Sequence, residues 1–117
     1  MSDQAKLRWG HLNINVTDLD ASIHFYQKLG FSLFLPGIPY LGLSMNSTSL
    51  ISDEVLTVTG WPSGTSGRAC IMQLGDTFPK IDLTELSIPE QADPLSNNAV
   101  GLVRFCLGSE DLDNDYQ

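Results

Sequence analysis

Residues 9–35 constrain this chain more than any other stretch, because they read as a strand, a capped helix and a second strand with almost nothing between them. Over 9–16 the side chains alternate: Gly10, Leu12, Ile14 and Val16 fall on one face, and Trp9, His11, Asn13 and Asn15 on the other. A period of two with one apolar and one polar face is the mark of a half-buried strand. Thr17, Asp18 or Asp20 then offers a side-chain oxygen to the free backbone N–H groups of a helix start. The spacing of Leu19, Ile23, Tyr26 and Leu29, with Phe25, predicts a helix over 19–29 whose apolar stripe faces a core. Asp20, His24, Gln27 and Lys28 fall on its wetter side, which makes His24 a surface residue. Gly30 suits the left-handed residue that ends such a helix, and 31–35 reads as a strand stopped by Pro36-Gly37.

Beyond this point the pattern loosens. Residues 40–45 and 54–59 read as strands, the latter through the β-formers Val55, Thr57, Val58 and Thr59. The Gly- and Ser-rich run 60–67 is a loop. Strands are expected over 68–74 and 80–86, joined through Gly75-Asp76, and 87–99, with Pro89, Pro94 and Asn97-Asn98, reads as a linker. A further strand over 101–109 precedes Glu110-Asp111-Leu112-Asp113. Aligning Asp18-Leu19-Asp20 with Asp111-Leu112-Asp113 brings Leu12 onto Phe105, Ile14 onto Leu107 and His11 onto Arg104. The shared order of strand, acidic cap and helix start reads as a repeat that has begun and, with the sequence stopping at Gln117, is not finished.

Composition removes several function classes. A chain of 117 residues suits one domain. Its net charge is −8, and its six basic residues are scattered, so no basic stripe exists to neutralise phosphates or an anionic membrane surface. The acidic run Glu110, Asp111, Asp113 and Asp115 reads as a solvated turn and helix start. No apolar stretch approaches the roughly 20 residues of a membrane helix. The polar start Met1-Ser2-Asp3-Gln4 carries no export signal, and Cys70 and Cys106 match no metal or redox spacing. A reduced, cytoplasmic setting is the expectation. The loop 60–67 lacks the Lys of a phosphate loop and the Gly-x-Ser-x-Gly of a hydrolase elbow.

The run Gly10-His11-Leu12-Asn13-Ile14-Asn15-Val16-Thr17-Asp18-Leu19-Asp20, followed by Phe25-Tyr26-Gln27-Lys28-Leu29-Gly30-Phe31, strongly resembles the opening of vicinal-oxygen-chelate proteins, the glyoxalase, bleomycin-resistance and extradiol-dioxygenase superfamily. Ile81-Asp82-Leu83-Thr84-Glu85-Leu86 is similar to the strand that closes a module in that family, and 103–113 to the start of the next. The resemblance implies an α+β fold: a βαβββ module with the start of a linker over 1–93, then the rest of the linker and the beginning of an incomplete second module over 94–117. Members pair two such modules around one site. Many hold a divalent metal, Fe, Mn, Ni or Zn, that polarises adjacent substrate oxygens as a Lewis acid. Others hold no metal and sequester an antibiotic.

Carried onto this sequence, the resemblance points to His11 as first metal ligand and Glu85 as second ligand and catalytic group, since the first and last strands of such a module lie side by side. Alternation puts Ile81, Leu83 and Glu85 on one face, and a carboxylate among apolar neighbours calls for a metal or a cation. Arg104 departs from the pattern, because it stands where a second module offers a ligand and a guanidinium stays protonated. It is expected to pair with Glu85 or with a substrate anion. Asn13, Asn15 and Met72 are expected to join Arg104 in binding substrate, with Trp61 and Tyr40 as further candidates for the pocket wall. The implied function is that of a metal-dependent lyase, isomerase or dioxygenase acting on a small vicinally oxygenated molecule. The rival reading is a metal-free binding protein in which Arg104 neutralises an acidic ligand, and a third is an inactive truncated module. One module leaves an open sheet edge and half a core exposed, so a homodimer is expected, with 101–108 exchanged between copies.

Overall fold

Asp18 starts the helix that the sequence predicts: its carboxylate accepts the Ala21 N–H at 3.0 Å, and α1 (Leu19–Lys28) follows. These details come from a computed structural model that describes residues 4–88 and 93–116. Before α1 runs β1 (His11–Val16), where Leu12, Ile14 and Val16 are half-buried and His11, Asn13 and Asn15 are exposed. After it, Gly30 takes a φ of 98°, a conformation costly for any side chain, and turns the chain into β2 (Phe31–Leu35).

Three short strands follow: β3 (Gly37–Ile38), β4 (Leu43–Ser44) and β5 (Ser49–Leu50). A single 3-10 turn, Pro39–Leu41, joins the first two, which pair with each other. Next come α2 (Asp53–Thr59) and the two long strands β6 (Ser66–Leu74) and β7 (Lys80–Ser87). The main sheet has the order β1-β7-β6-β2, with β5 pairing β6. The β1–β7 pair is parallel, and β6 is antiparallel to both β7 and β2. The first and last strands of the module therefore do lie side by side. Gly67 makes the close approach of β6 to β7 possible, because a Cβ there would meet the Glu85 carbonyl oxygen at 2.7 Å.

Each face of the sheet carries its own core. Against α1 pack Leu19, Phe31, Cys70, Met72, Ile81 and Leu83, bordered by Ile14, Val16, Ile23 and Tyr26. On the other face Ile38, Leu41, Leu43, Ile51, Leu56, Ala69, Ile71 and Leu86 form a second cluster under α2, with Trp61 packed against it.

Two strand expectations are corrected. Residues 54–59 lie in α2, not in a strand. Local capping outweighs the β-forming side chains there: the Ser52 hydroxyl accepts the Val55 N–H, Asp53 and Glu54 sit in the first turn, and Gly60 closes the helix at φ 79°. The Thr57 and Thr59 hydroxyls donate to the carbonyls of Asp53 and Val55, each at 2.9 Å, which satisfies them on a helix. Residues 102–109 form no strand either, and Leu102, Phe105 and Leu107 stand exposed. A strand needs a neighbour for its backbone groups, and none of the described strands pairs with this segment. The acidic cap after it is present: Asp111 accepts the Asn114 N–H and starts α3 (Leu112–Asp115). The 40–45 strand shrinks to the 3-10 turn and β4. Of the linker, Pro89 lies outside the described residues.

One ion-pair cluster ties α1 to the sheet. Glu85 accepts the Leu19 N–H at 2.8 Å and the Arg68 Nε–H at 2.9 Å, and Arg68 reaches on to Asp20 at 3.0 Å and to the Met45 carbonyl at 3.3 Å. The Arg68 bond, helped by the Leu19 N–H against the opposing effect of burial, holds the Glu85 carboxyl below its ordinary range. The cation that the sequence required beside Glu85 is Arg68.

Truncating the fully buried Leu83 to Ala is expected to cost about 2–5 kcal/mol of unfolding free energy, read from urea denaturation. Because the Glu85 pKa is lowered by folding, its contribution is present above the unfolded value of about 4.3 and is lost as pH falls through the folded value. The stability gap between wild type and Glu85→Gln should accordingly be widest at neutral pH and close in acid; a gap that does not change with pH would contradict this.

Candidate functional site

Alternation along β1 and β7 sends one set of polar side chains to the face turned away from α1. The parallel register sets His11 beside Lys80, Asn13 beside Asp82 and Asn15 beside Thr84. Of these, Asp82 is fully buried, a position where an unsatisfied carboxylate is costly. His11 Nδ1 lies 2.6 Å from Asp82 Oδ2, and the Tyr40 hydroxyl donates to the same oxygen. Among the described residues Asp82 Oδ1 has no hydrogen-bond partner. Tyr40 reaches the pair from the 3-10 turn, with its hydroxyl 3.4 Å from His11 Nδ1 and its ring centroid 5.5 Å from that of His11.

The protonation pattern follows from the partners. With Nδ1 engaged by Asp82, Nε2 is the His11 nitrogen left for a ligand or a proton, on a ring that is partly exposed. Burial, then the bond to Asp82 and the charge of Asp82, push the Tyr40 phenol above its ordinary range, so it is a neutral donor. Burial and the Asp82 charge also push the Cys70 thiol up to about 11, which removes it as a nucleophile at neutral pH.

Two smaller networks flank the cluster. Thr84 Oγ1 donates to Asn13 Oδ1 at 2.8 Å, and Asn13 Nδ2 donates to Asn15 Oδ1 at 2.9 Å. On the other side the buried Lys80 donates to Gln73 Oε1 at 3.0 Å, with Nζ 4.4 Å from the Phe34 ring centroid and 4.1 Å from that of Phe78.

Of the residues the sequence singled out, His11, Asn13, Asn15 and Tyr40 share this face. Glu85 and Met72 do not. Odd numbering along β7 turns Glu85 to the α1 side with Ile81 and Leu83, and its oxygens are taken by Arg68 and Leu19. Met72 is fully buried in the α1 core and cannot line an accessible pocket without repacking. Arg104 is exposed and donates to the Asn97 carbonyl at 3.1 Å, while the Glu85 pairing expected of it belongs to Arg68. Asp82 is the residue that the sequence reading passed over. Its signal was parity: Lys80, Asp82 and Thr84 alternate with Ile81 and Leu83, which puts Asp82 on the face of His11 rather than that of Glu85.

His11 and Asp82 offer two donor types found in divalent-metal sites. Imidazole nitrogen and carboxylate oxygen suit the first-row ions, and the buried Asp82 Oδ1 lacks the partner that an ion would supply. Among the described residues no three His, Cys, Asp or Glu side chains come together in a way that could hold a metal, so this pair needs further ligands from elsewhere.

No family model matches the chain, and no curated protein matches it. Among the described residues no helix is long and apolar enough to cross a membrane. A solved structure, a glyoxalase family protein from Bacillus cereus, superposes with a TM-score of 0.70 at 24% identity, covering 99% of this chain and 72% of that one. The likeness extends over nearly the whole chain, and with the β1–β7 pairing it establishes that this sequence adopts a glyoxalase-like α+β fold.

Proposed function

We propose that this protein acts on a small, vicinally oxygenated molecule through a divalent metal for which His11 and Asp82 are two of the ligands. The observation that carries the reading is Asp82 itself: a fully buried carboxylate beside His11, on a glyoxalase-like sheet, with one oxygen unpartnered. Bound there, Fe, Mn, Ni or Zn would supply Lewis-acid polarisation of two adjacent substrate oxygens.

The remaining work falls to the chain's own side chains. Asn13 and Asn15 are exposed next to the pair and offer amide groups to substrate hydroxyls or carbonyls, with Thr84 fixing the orientation of Asn13. Lys80 adds positive charge to the same face without occupying the Asp82 carboxylate. Glu85 serves the fold through Arg68, and the role of second ligand passes to Asp82.

The missing ligands are proposed to come from a second copy of the chain. The exposed apolar side chains Leu102, Phe105, Leu107 and Leu112 give that copy a surface to cover, and among the described strands β1 pairs with β7 alone, which leaves its other edge to offer. A homodimer is expected by light scattering at micromolar concentration, and a monomer under those conditions would count against the shared site.

Elemental analysis after incubation with Mn, Fe(II), Ni or Zn and desalting tests the metal directly. Wild type and Glu85→Gln are expected to retain metal, whereas His11→Ala and Asp82→Asn lose it. Retention by Asp82→Asn, or loss only in Glu85→Gln, would move the site to the other face. Absence of metal from every protein would leave a binding module without metal.

A further inference from the structure

We propose that Thr84, Asn13 and Asn15 form a directed hydrogen-bond track that selects a carboxylate on the substrate, with Asn15 as the specificity-determining residue and Thr84 as a positioning residue. The inference rests on the reading of this face of the sheet as the one that meets substrate, and it does not require the metal.

The direction of the track is set at its buried end. Thr84 is 0% exposed, so its hydroxyl proton must find an acceptor inside the protein. It donates to Asn13 Oδ1 at 2.8 Å, and among the described residues the hydroxyl makes no other hydrogen bond. That bond turns the Asn13 carbonyl oxygen toward β7 and its amide nitrogen toward Asn15, where Nδ2 donates to Asn15 Oδ1 at 2.9 Å. With both amides reversed, Asn13 would donate to Thr84, and the buried hydroxyl would hold a proton with no acceptor. The cost of an unmet buried donor therefore fixes the orientation of two exposed asparagines.

One N–H of Asn13 and both of Asn15 are left without a partner among the described residues. The outer end of the track is thus a row of donors on exposed side chains. A carboxylate fits such a row: it accepts at two oxygens, donates at none, and makes bonds roughly twice as strong as a neutral acceptor does. A hydroxymethyl group offers a single oxygen and no charge. Asn13 and Asn15 follow His11 on the same face of β1, and the register sets Asn13 beside Asp82 and His11 beside Lys80. The Lys80 ammonium, bonded to the neutral acceptors Gln73 Oε1 and the Thr77 carbonyl, sets its charge against that of Asp82 and lowers the barrier to an anion on this face. A carboxylate held by the two amides places the neighbouring carbon along β1 toward His11. The substrate class is accordingly a small acid oxygenated at the carbon next to its carboxylate.

Pyruvate and hydroxyacetone test the track, since they share a methyl ketone and differ in carboxylate against hydroxymethyl. Each is titrated into chelator-treated, nitrogen-15-labelled protein, with the side-chain amide resonances of Asn13 and Asn15 followed by NMR. Pyruvate is expected to shift both amides and to bind about tenfold more tightly than hydroxyacetone, the effect of one charge-assisted hydrogen bond. Asn15→Asp, which puts an acceptor and a negative charge at the end of the row, should abolish the preference. Thr84→Val should reduce it by freeing Asn13 to flip, while Thr84→Ser, which keeps the buried hydroxyl, should preserve it; a purely structural Thr84 would change stability without changing the preference. Equal affinity for the two probes in wild type, shifts that bypass Asn13 and Asn15, or no saturable binding of pyruvate would overturn the track. The same holds for a preference that survives Asn15→Asp. Because the titration is made without metal, a pyruvate preference in a protein that retains no metal would leave the track standing and remove the metal reading alone.

Discussion

The parallel pairing of β1 with β7 is the constraint on which the rest of this structure depends. It closes the module by joining its first and last strands, and it fixes which side chains meet across the seam. With His11 beside Lys80 and Asn13 beside Asp82, the histidine ring leans onto the buried carboxylate two positions along. A slip of one residue would bring Ile81 and Leu83 to the polar face and send Asp82 into the α1 core. The apolar demand of that core therefore holds the polar cluster in register. Leu83 and Met72 have no atom in the site, yet they determine where Asp82 points.

Two carboxylates only three residues apart on β7 show what that parity achieves. Glu85 meets a guanidinium and a backbone N–H, and its charge is spent on fixing α1 to the sheet. Asp82 meets an imidazole and a phenol at one oxygen and, among the described residues, nothing at the other. Burial of a charge is tolerable where partners replace water, and by that measure Glu85 is settled and Asp82 is not. An acid left short of a partner in the interior of a stable sheet is a place where stability has been given up, and functional sites are where such deficits concentrate.

How far the sequence reveals all this depends on how local each determinant is. The segment β1-α1-β2 was legible because its pattern, its Asp18 cap and its Gly30 stop all lie within a few residues of one another. The pairing of β1 with β7 was legible only through the family resemblance, since the partners are about seventy positions apart. Residues 54–59 misled because β-branched side chains suggest a strand, while the deciding signals were the Ser52 cap and Gly60 stop. The pattern over 101–109 is that of a strand, but a strand is realised only against a neighbour, which no local pattern can provide. For the polar face, the place of His11 was readable, whereas the composition of β7 alone does not say which of Glu85 and Asp82 shares that face. Both are acids among Ile and Leu, and only the face each shares with His11 separates them.

The placement of Lys80 on β7 bears on what Asp82 meets. The two residues share a face of β7 and are separated by a single position, so an ammonium on a flexible stem is the natural partner for that carboxylate. The structure directs it elsewhere. Gln73 and the Thr77 carbonyl accept its protons, and the rings of Phe34 and Phe78 lie against it from within 4.5 Å or less. Electron-rich ring faces and neutral acceptors stabilise the cation without neutralising it. Had Lys80 reached Asp82, the pair would have closed into an internal salt bridge. Held aside, Lys80 leaves His11 and Tyr40 as the groups that attend the carboxylate.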